Sequence, residues 1–426
     1  MKKHVEDKTK DTKTQQKEIE ELISSIFIKF NYSTIKSNIL NYEIKINTEN
    51  HIHFINKMIS HLPGGYLALD SGMPWFAYWT LNCFDLFGSD QLCLPDELKS
   101  QYITYLQNFI NSDKKGFSGY HKNSFSHLIS TYAAVLAIVC LDSEKAYSLI
   151  DKKAMKDYLM LMKKQNTDTT NDIKGNFLIN KKSDKVSEIS VNYSGAFQAH
   201  VNGESDLRAT YCALVIAYIL NILDDDLTSG VAEHIAKCQT YEGGFGPEPY
   251  SEAHGGYNFC AISSLLILNK LSLIDINKQI KWLTHRQMTI EGGFQGRTNK
   301  LVDSCYSFWQ GSVFNMLMEF DNKHSYESEM LYDQYALQAY ILLACQKEYG
   351  LVDKPGKSPD LFHLNYAGVG FSLSQQSLMK EKTEGNDSTI KLCISYDEST
   401  ELAKMDPIFC VSSEKLIRAI NYYKQS

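Results

Sequence analysis

No apolar run in the 426 residues is long enough to span a bilayer, so any membrane contact is expected to be peripheral. Closely paired cysteines are also missing. The ten present are scattered, several within apolar runs such as AVLAIVC and TYCALVIAY. That usage suits reduced, buried thiols in a cytosolic protein and excludes a disulfide framework. There is no basic excess: 43 Lys and Arg stand against 50 Asp and Glu, a net charge of −7. Nucleic acid is therefore excluded as the main partner, and a local basic pocket would serve a small anion. The charged N-terminus, MKKHVEDKTKDTKTQQKEIEE, has no hydrophobic signal region, so no secretory targeting is expected. Strand-like alternation is scarce, which leaves helices to bury the core.

Residues 1–17 read as a frayed, charged arm and 18–426 as one large domain. Within the domain a motif recurs. IAKCQTYEGGFGP (235–247) and LTHRQMTIEGGFQGR (283–297) share a helix, a Gln and then Glu-Gly-Gly-Phe. YLQNFINSDKKGFSGY (105–120) and the segment around SGAFQAH (194–200) are looser copies. After each turn a polar cluster enters an apolar helix through a tyrosine: Tyr132, Tyr211, Tyr257, Tyr306 and Tyr366, each three to five residues beyond a His or Asp. Helix pairs of this period cannot bury their faces alone and should stack or close into a ring. Closure would collect the polar clusters at one rim, above an aromatic interior. The polar segments 166–192 and 372–400 read as a surface insertion and a tail.

The densest chemistry lies in EGGFQGRTNKLVDSCYSFW (291–309), with CYSFWQGSVFNMLMEF read as a helix capped by Asp303. Cys305, in the first turn, sits where the helix dipole favours thiolate. Asp303 and Cys305 make half of a zinc site. Taken singly, each is an ordinary cap or core residue. His363, however, stands three residues before Tyr366 as Asp303 stands before Tyr306, which puts both on the same rim. Three ligands leave one position open, the catalytic arrangement. His254, Arg297, Lys300 and Tyr306 supply donors for a diphosphate. Trp75, Trp79, Tyr211, Tyr257 and Trp309 would line a dry hydrocarbon tunnel tolerant of allylic cation character. Asp353, ahead of a Pro-Gly turn, is a candidate Mg2+ ligand shared with that diphosphate.

The motifs ALDSGMPWFAYW, HLISTYAAV, DLRATYCA, EAHGGYNFC, EGGFQGRTNKLVDSCYSFWQ and LVDKPGKSPDLFH together resemble the β subunits of protein farnesyltransferases, over roughly residues 20–425. The resemblance implies an all-α fold, an (α/α)6 barrel (toroid) of helix-pair prenyltransferase repeats. It implies one catalytic Zn2+ held by Asp303, Cys305 and His363, a diphosphate site at His254, Arg297, Lys300 and Tyr306, and Mg2+ use at Asp353. Trp75, Arg208, Tyr211, Tyr257, Cys260 and Trp309 match tunnel-lining positions, and Trp79 joins the same wall. Arg208 is also expected to reach the peptide backbone of the substrate's C-terminal tetrapeptide. His127, Ile129 and Phe362 fall in the peptide pocket. The implied partners are a farnesyltransferase α subunit, farnesyl diphosphate and CaaX-terminated proteins such as small GTPases, in the cytoplasm.

Departures from the family pattern bear on specificity. Phe362 stands where tyrosine is usual, Ser71 and Gly72 replace an Ala-Ser pair, and Ile129 and Ser130 replace an Ala-Pro pair. The bulk of Ile129 should disfavour a large terminal side chain. A type I geranylgeranyltransferase β subunit is the nearest rival, opposed by Trp75 and Asp353. A terpene cyclase would need a protonating Asp cluster, and Asp224–Asp226 reads as a loop between helices. A non-catalytic helical scaffold would bind no zinc.

Overall fold

The computed structural model describes residues 2–36, 45–88, 94–112, 115–120, 124–164, 195–321, 331–381 and 402–426. Helices in chain order are α1 (Lys2–Lys36), α2 (Thr48–Ser60), α3 (Met73–Phe87), α4 (Asp96–Gln107), α5 (Leu128–Leu141), α6 (Glu144–Tyr147), α7 (Lys152–Met162), α8 (Leu207–Ile219) and α9 (Asp225–Thr228). They continue as α10 (Val231–Lys237), α11 (Gly255–Ile267), α12 (Ile276–Thr284), α13 (Tyr306–Trp309), α14 (Gly311–Asp321), α15 (Gln334–Ala339), α16 (Leu361–Glu381) and α17 (Ser413–Gln425). Among the described residues β pairing is limited to isolated bridges.

Two kinds of helix alternate because two kinds of surface must be buried. LISTYAAVLAIVCL (α5) is apolar all round, and every one of its residues except Ile129 is buried. Such a helix belongs inside. KKAMKDYLMLM (α7) is amphipathic and buries only Met155, Tyr158, Leu159 and Met162, so it forms the outer wall. The inner helices pack in sequence, α3 on α5, α5 on α8, α8 on α11, α11 on α13 and α14, and these on α16. Finally α16 packs back on α3, so the repeats close into a ring instead of stacking open. Gly370 permits the α16–α13 approach: a Cβ there would lie 2.4 Å from the Ser307 backbone.

The recurrent turn follows from two residues. Gln239 bridges to Phe245 and Gln287 to Phe294, with Gly243 and Gly292 at φ +109° and +78°. The Gln side chain then reaches the next repeat. Gln287 donates to the Asp333 carbonyl (2.7 Å) and accepts from its N–H (2.8 Å), and Gln239 treats Asp275 the same way at 3.0 Å for both bonds. Asp275 and Asp333 cap α12 and α15. A copy the sequence reading missed, Gln346 with Leu351, accepts from the N–H of Asn47, the cap of α2, at 2.8 Å and donates to the Lys45 carbonyl at 3.1 Å, and thereby joins last repeat to first. Only its Gln and the Gly before an apolar residue survive to mark it.

A second belt orders the rim. The first amides of four inner helices donate to a loop of the next repeat, Met73 to Gly119 (2.8 Å), Leu128 to Ala199 (2.7 Å), Leu207 to Pro247 (3.1 Å) and Gly255 to Gly296 (2.7 Å), as does Ser304, just ahead of α13, to Asp353 (2.8 Å). The polar clusters before the tyrosines thus gather at one mouth.

Four expectations change. Residues 2–17 continue α1 instead of fraying, with Gln16 donating to Glu291 at 2.7 Å on the ring wall. The helix expected from Cys305 onward is two, α13 and α14, separated at Gln310, whose buried side chain turns to the Gln295 carbonyl. Residues 372–381 extend α16, burying Ser372, Leu373 and Ser374, where a polar tail was expected. The insertion at 166–192 and the stretch 382–400 lie outside the described residues. Asp224 caps α9, and Asp225 and Asp226 form its first turn where a loop was expected.

Candidate active site

Asp303 opens the turn into α13, its carboxylate accepting from the Cys305 N–H at 2.9 Å. The cap is thus local to the turn, two residues ahead of Cys305. His363 approaches from the first turn of α16, its Nε2 3.3 Å from Asp303 Oδ1. One donor atom from each of Asp303, Cys305 and His363 lies within 4.8 Å of the others, the one such cluster among the described residues. Carboxylate, thiol and imidazole at this spacing match a three-ligand Zn2+ site.

Asp360 completes the arrangement and was missed by the sequence reading. One of its oxygens caps α16 by accepting from the His363 N–H (2.8 Å), and the other faces His363 Nδ1 at 2.7 Å. That bond directs Nε2 toward Asp303, as an outer carboxylate does for a metal-binding histidine. Burial alone would lower His363, but hydrogen bonds to Asp303 and Asp360 outweigh it and raise the imidazole to about 9. Cys305 corrects the thiolate expectation: burial, then the charge of Asp303, pushes its thiol well above the usual range, and the one-turn α13 does not compensate. The cluster therefore attracts positive charge.

Beside it, His254 caps α11, with Nδ1 accepting from Gly256 N–H (3.1 Å) and Nε2 lying 3.0 Å from the Tyr306 hydroxyl. Burial, then the Arg297 charge, lowers His254, which keeps the ring neutral. With Nδ1 accepting, the proton is assigned to Nε2, which donates to Tyr306 and leaves the phenol's own proton for another acceptor. Arg297 is half-buried and pairs with Glu252 at 2.7 Å, and Lys300 is exposed on the same loop. Asp353 pairs with Lys354, and both side chains are largely buried.

Below the mouth lies a cavity of about 940 Å³, within the range of small-molecule sites. Of the expected lining, Trp75, Trp79, Ile129, Arg208, Tyr211, Cys260, Trp309 and Phe362 face it; Tyr66, Tyr132, Cys212, Tyr366 and Asp360 were not anticipated. His363 lines it too, so the cavity and the three-donor cluster share a wall. Aromatic contacts stiffen that wall: Trp309 lies 4.4 Å from Tyr366, and Trp75 5.5 Å from Trp79 between ring centroids. Arg208 uses Nε and Nη2 on Asp206 and sits 5.8 Å above the Tyr257 ring. Tyr257, His127, His254, Arg297 and Lys300 stand outside the cavity lining. His127 precedes α5, with its ring 5.6 Å from that of His200.

Residues 46–411 match the family model of the prenyltransferase alpha-alpha toroid domain. The chain is 36% identical over 402 residues to protein farnesyltransferase subunit beta of Dictyostelium discoideum, covering 88% of this chain and 73% of that protein. Against the same subunit of Schizosaccharomyces pombe it is 32% identical over 369 residues, covering 86% and 87%. The chain belongs to the protein farnesyltransferase β-subunit family. As a member it is part of a protein prenyltransferase, and the family's toroid is the ring described above. Geranylgeranyl transferase type-1 subunit beta of Arabidopsis thaliana is a related match, 32% identical but over 70% of this chain and 72% of that one. The same fold is seen in Candida albicans protein geranylgeranyltransferase-I complexed with GGPP, with a TM-score of 0.66 and 21% identity over 88% of this chain and 98% of that one. No helix among the described residues is long and apolar enough to cross a membrane.

Proposed function

We propose that this chain is the catalytic β subunit of a zinc-dependent protein farnesyltransferase, joining the farnesyl group of farnesyl diphosphate to the cysteine of a C-terminal CaaX sequence. The observation that carries the reading is the shared wall: His363 belongs both to the three-donor cluster and to the aromatic cavity. A thiol bound at the cluster would meet a hydrocarbon chain in the cavity.

Asp303, Cys305 and His363 would hold Zn2+, with Asp360 fixing the imidazole. Bound there, Zn2+ supplies an open position at which a substrate thiol ionises near neutral pH. The chain's own residues do the rest. Trp75, Trp79, Tyr211, Cys260 and Trp309 hold the isoprenoid dry and extended, with Tyr257 at the rim, and Trp75 limits its length to the shorter donor. His254 aims Tyr306, whose free proton meets the diphosphate. Arg297 and Lys300 add charge as it departs. Arg208, held by Asp206, and His127, Ile129 and Phe362 receive the peptide. Holding sulfur and the first isoprenoid carbon together supplies the proximity contribution. Asp353 offers a single carboxylate to Mg2+, a fit that needs diphosphate oxygens to complete it. An α subunit completes the enzyme. A cytoplasmic setting accords with eight free, buried cysteines among the described residues.

The test is direct. Co-expressed with an α subunit and given both isoprenoid diphosphates and a CaaX peptide, the chain should yield the farnesyl thioether, identified by mass. A purely geranylgeranyl product, or no zinc by elemental analysis, would overturn the proposal.

A further inference from the structure

Asp353 is held in an unusual setting for a carboxylate offered to a divalent cation. Its backbone is pinned twice, the carbonyl accepting from the Ser304 N–H (2.8 Å) and from the Tyr340 hydroxyl (3.2 Å). Its side chain is only 19% exposed, and its partner, the ammonium of Lys354, is 11% exposed. Burial, then the nearby negative charge of Asp303, raises the Asp353 carboxyl, and Lys354 opposes both. A carboxylate so placed is ionised at the cost of keeping a cation beside it.

A divalent ion and an ammonium repel when they share one carboxylate in a part-buried site, and the repulsion grows as water is excluded. Lys354 is attached to the next residue, so its local concentration at Asp353 is high and cannot be diluted. We infer that Lys354 is a tethered counter-ion which a divalent cation must displace from Asp353, so that it sets the Mg2+ concentration the enzyme requires. The inference rests on the proposed function, in which Mg2+ joins Asp353 and the diphosphate. It assigns Lys354 a positioning role, acting through Asp353 and not on the reacting atoms.

The test uses the zinc-loaded heterodimer. Mn2+ binding is followed by electron paramagnetic resonance with inorganic pyrophosphate present, and the half-saturating Mg2+ concentration is taken from peptide farnesylation. Lys354→Met should lower both midpoints by roughly fivefold or more, and Lys354→Arg, which keeps the charge, should restore them. Once Asp353→Asn is in place, adding Lys354→Met should shift neither midpoint further. A Lys354→Met midpoint within twofold of wild type, or higher, overturns the inference. A second readout needs no variant. Mass-spectrometric labelling of wild-type lysines with acetic anhydride should show Lys354 becoming more reactive when Mg2+ and pyrophosphate are added, and unchanged labelling also overturns it. If the wild type transfers farnesyl while these criteria fail, only the role of Lys354 is lost. If it transfers no prenyl group, the functional reading fails first.

Discussion

Asp360 holds His363 through two bonds that a single substitution can separate. Asparagine at 360 still caps α16, because its carbonyl oxygen can accept the His363 amide. Its amide N–H would then face Nδ1, moving the imidazole proton to Nε2, the atom 3.3 Å from Asp303. Asp360→Asn should therefore leave the helix content unchanged and weaken Zn2+ binding by roughly 10- to 100-fold, measured by competition with a chromogenic chelator. Unaltered affinity would mean that the carboxylate is only a cap. Ile129 carries the second prediction at this scale. It is the one residue of α5 that is not buried, and it lines the cavity. Peptides differing in the last residue should show kcat/KM falling as that side chain grows, and Ile129→Ala should flatten the series; an unaltered ranking would refute it. Asp303, Cys305 and His363 were legible because unlike chemistry recurred at like positions. Asp360 was not, since an Asp three residues ahead of a His reads equally well as a plain cap. The fall-off of Cys305 acidity was hidden too, because burial outweighs a four-residue helix and burial is a property of the closed ring.

Turns, at the next scale, hold the repeats together. Gly292 has φ +78°, and a Cβ there would lie 2.5 Å from the Ala336 carbonyl oxygen. Both the backbone conformation and the space exclude a side chain. Gly292→Ala should cost about 1–3 kcal/mol of stability, read from denaturant midpoints of the heterodimer. Gly65→Ala, with nothing within 4 Å of its Cβ, is the control and should cost far less. Equal costs would show that the turn tolerates a side chain. The EGGF motif was legible because the whole turn depends on it. The break between α13 and α14 was not: Gln310 leaves the helix pattern to reach the Gln295 carbonyl, a partner supplied by tertiary structure.

His51 reports on the molecule as a whole. It is fully buried where α2 meets the last repeat, its Nε2 3.1 Å from Gln346 Oε1 and its Nδ1 accepting from the Gly350 N–H at 3.1 Å. Protonation would set a proton on Nδ1 against that N–H. Burial, partly offset by the Gln346 bond, lowers His51 to about 4. The unfolded chain takes up this proton near 6.5, while the folded ring resists until about 4. Between these values the unfolded state binds more protons, so stability must fall as pH falls. The contribution is complete above about 6.5, and as much as about 3 kcal/mol of it is lost by pH 4. In the heterodimer, His51→Gln should reduce the acid dependence of the denaturation midpoint between pH 7 and 4.5; parallel curves would sink the assignment. Closure was inferred from the need to bury repeated faces, but the junction itself could not be read, because its partners are 299 residues apart.

The clamp made by Gln346 is like those made by Gln239 and Gln287 in accepting from the N–H of a helix cap, here Asn47, but it donates to the carbonyl of Lys45, two residues earlier. An open stack can gain or lose a unit at either end, but a circle fastened in this way has no end at which to add one. Duplicating or deleting a helix pair would change the bore. The width of the central chamber can therefore change only by whole helix pairs.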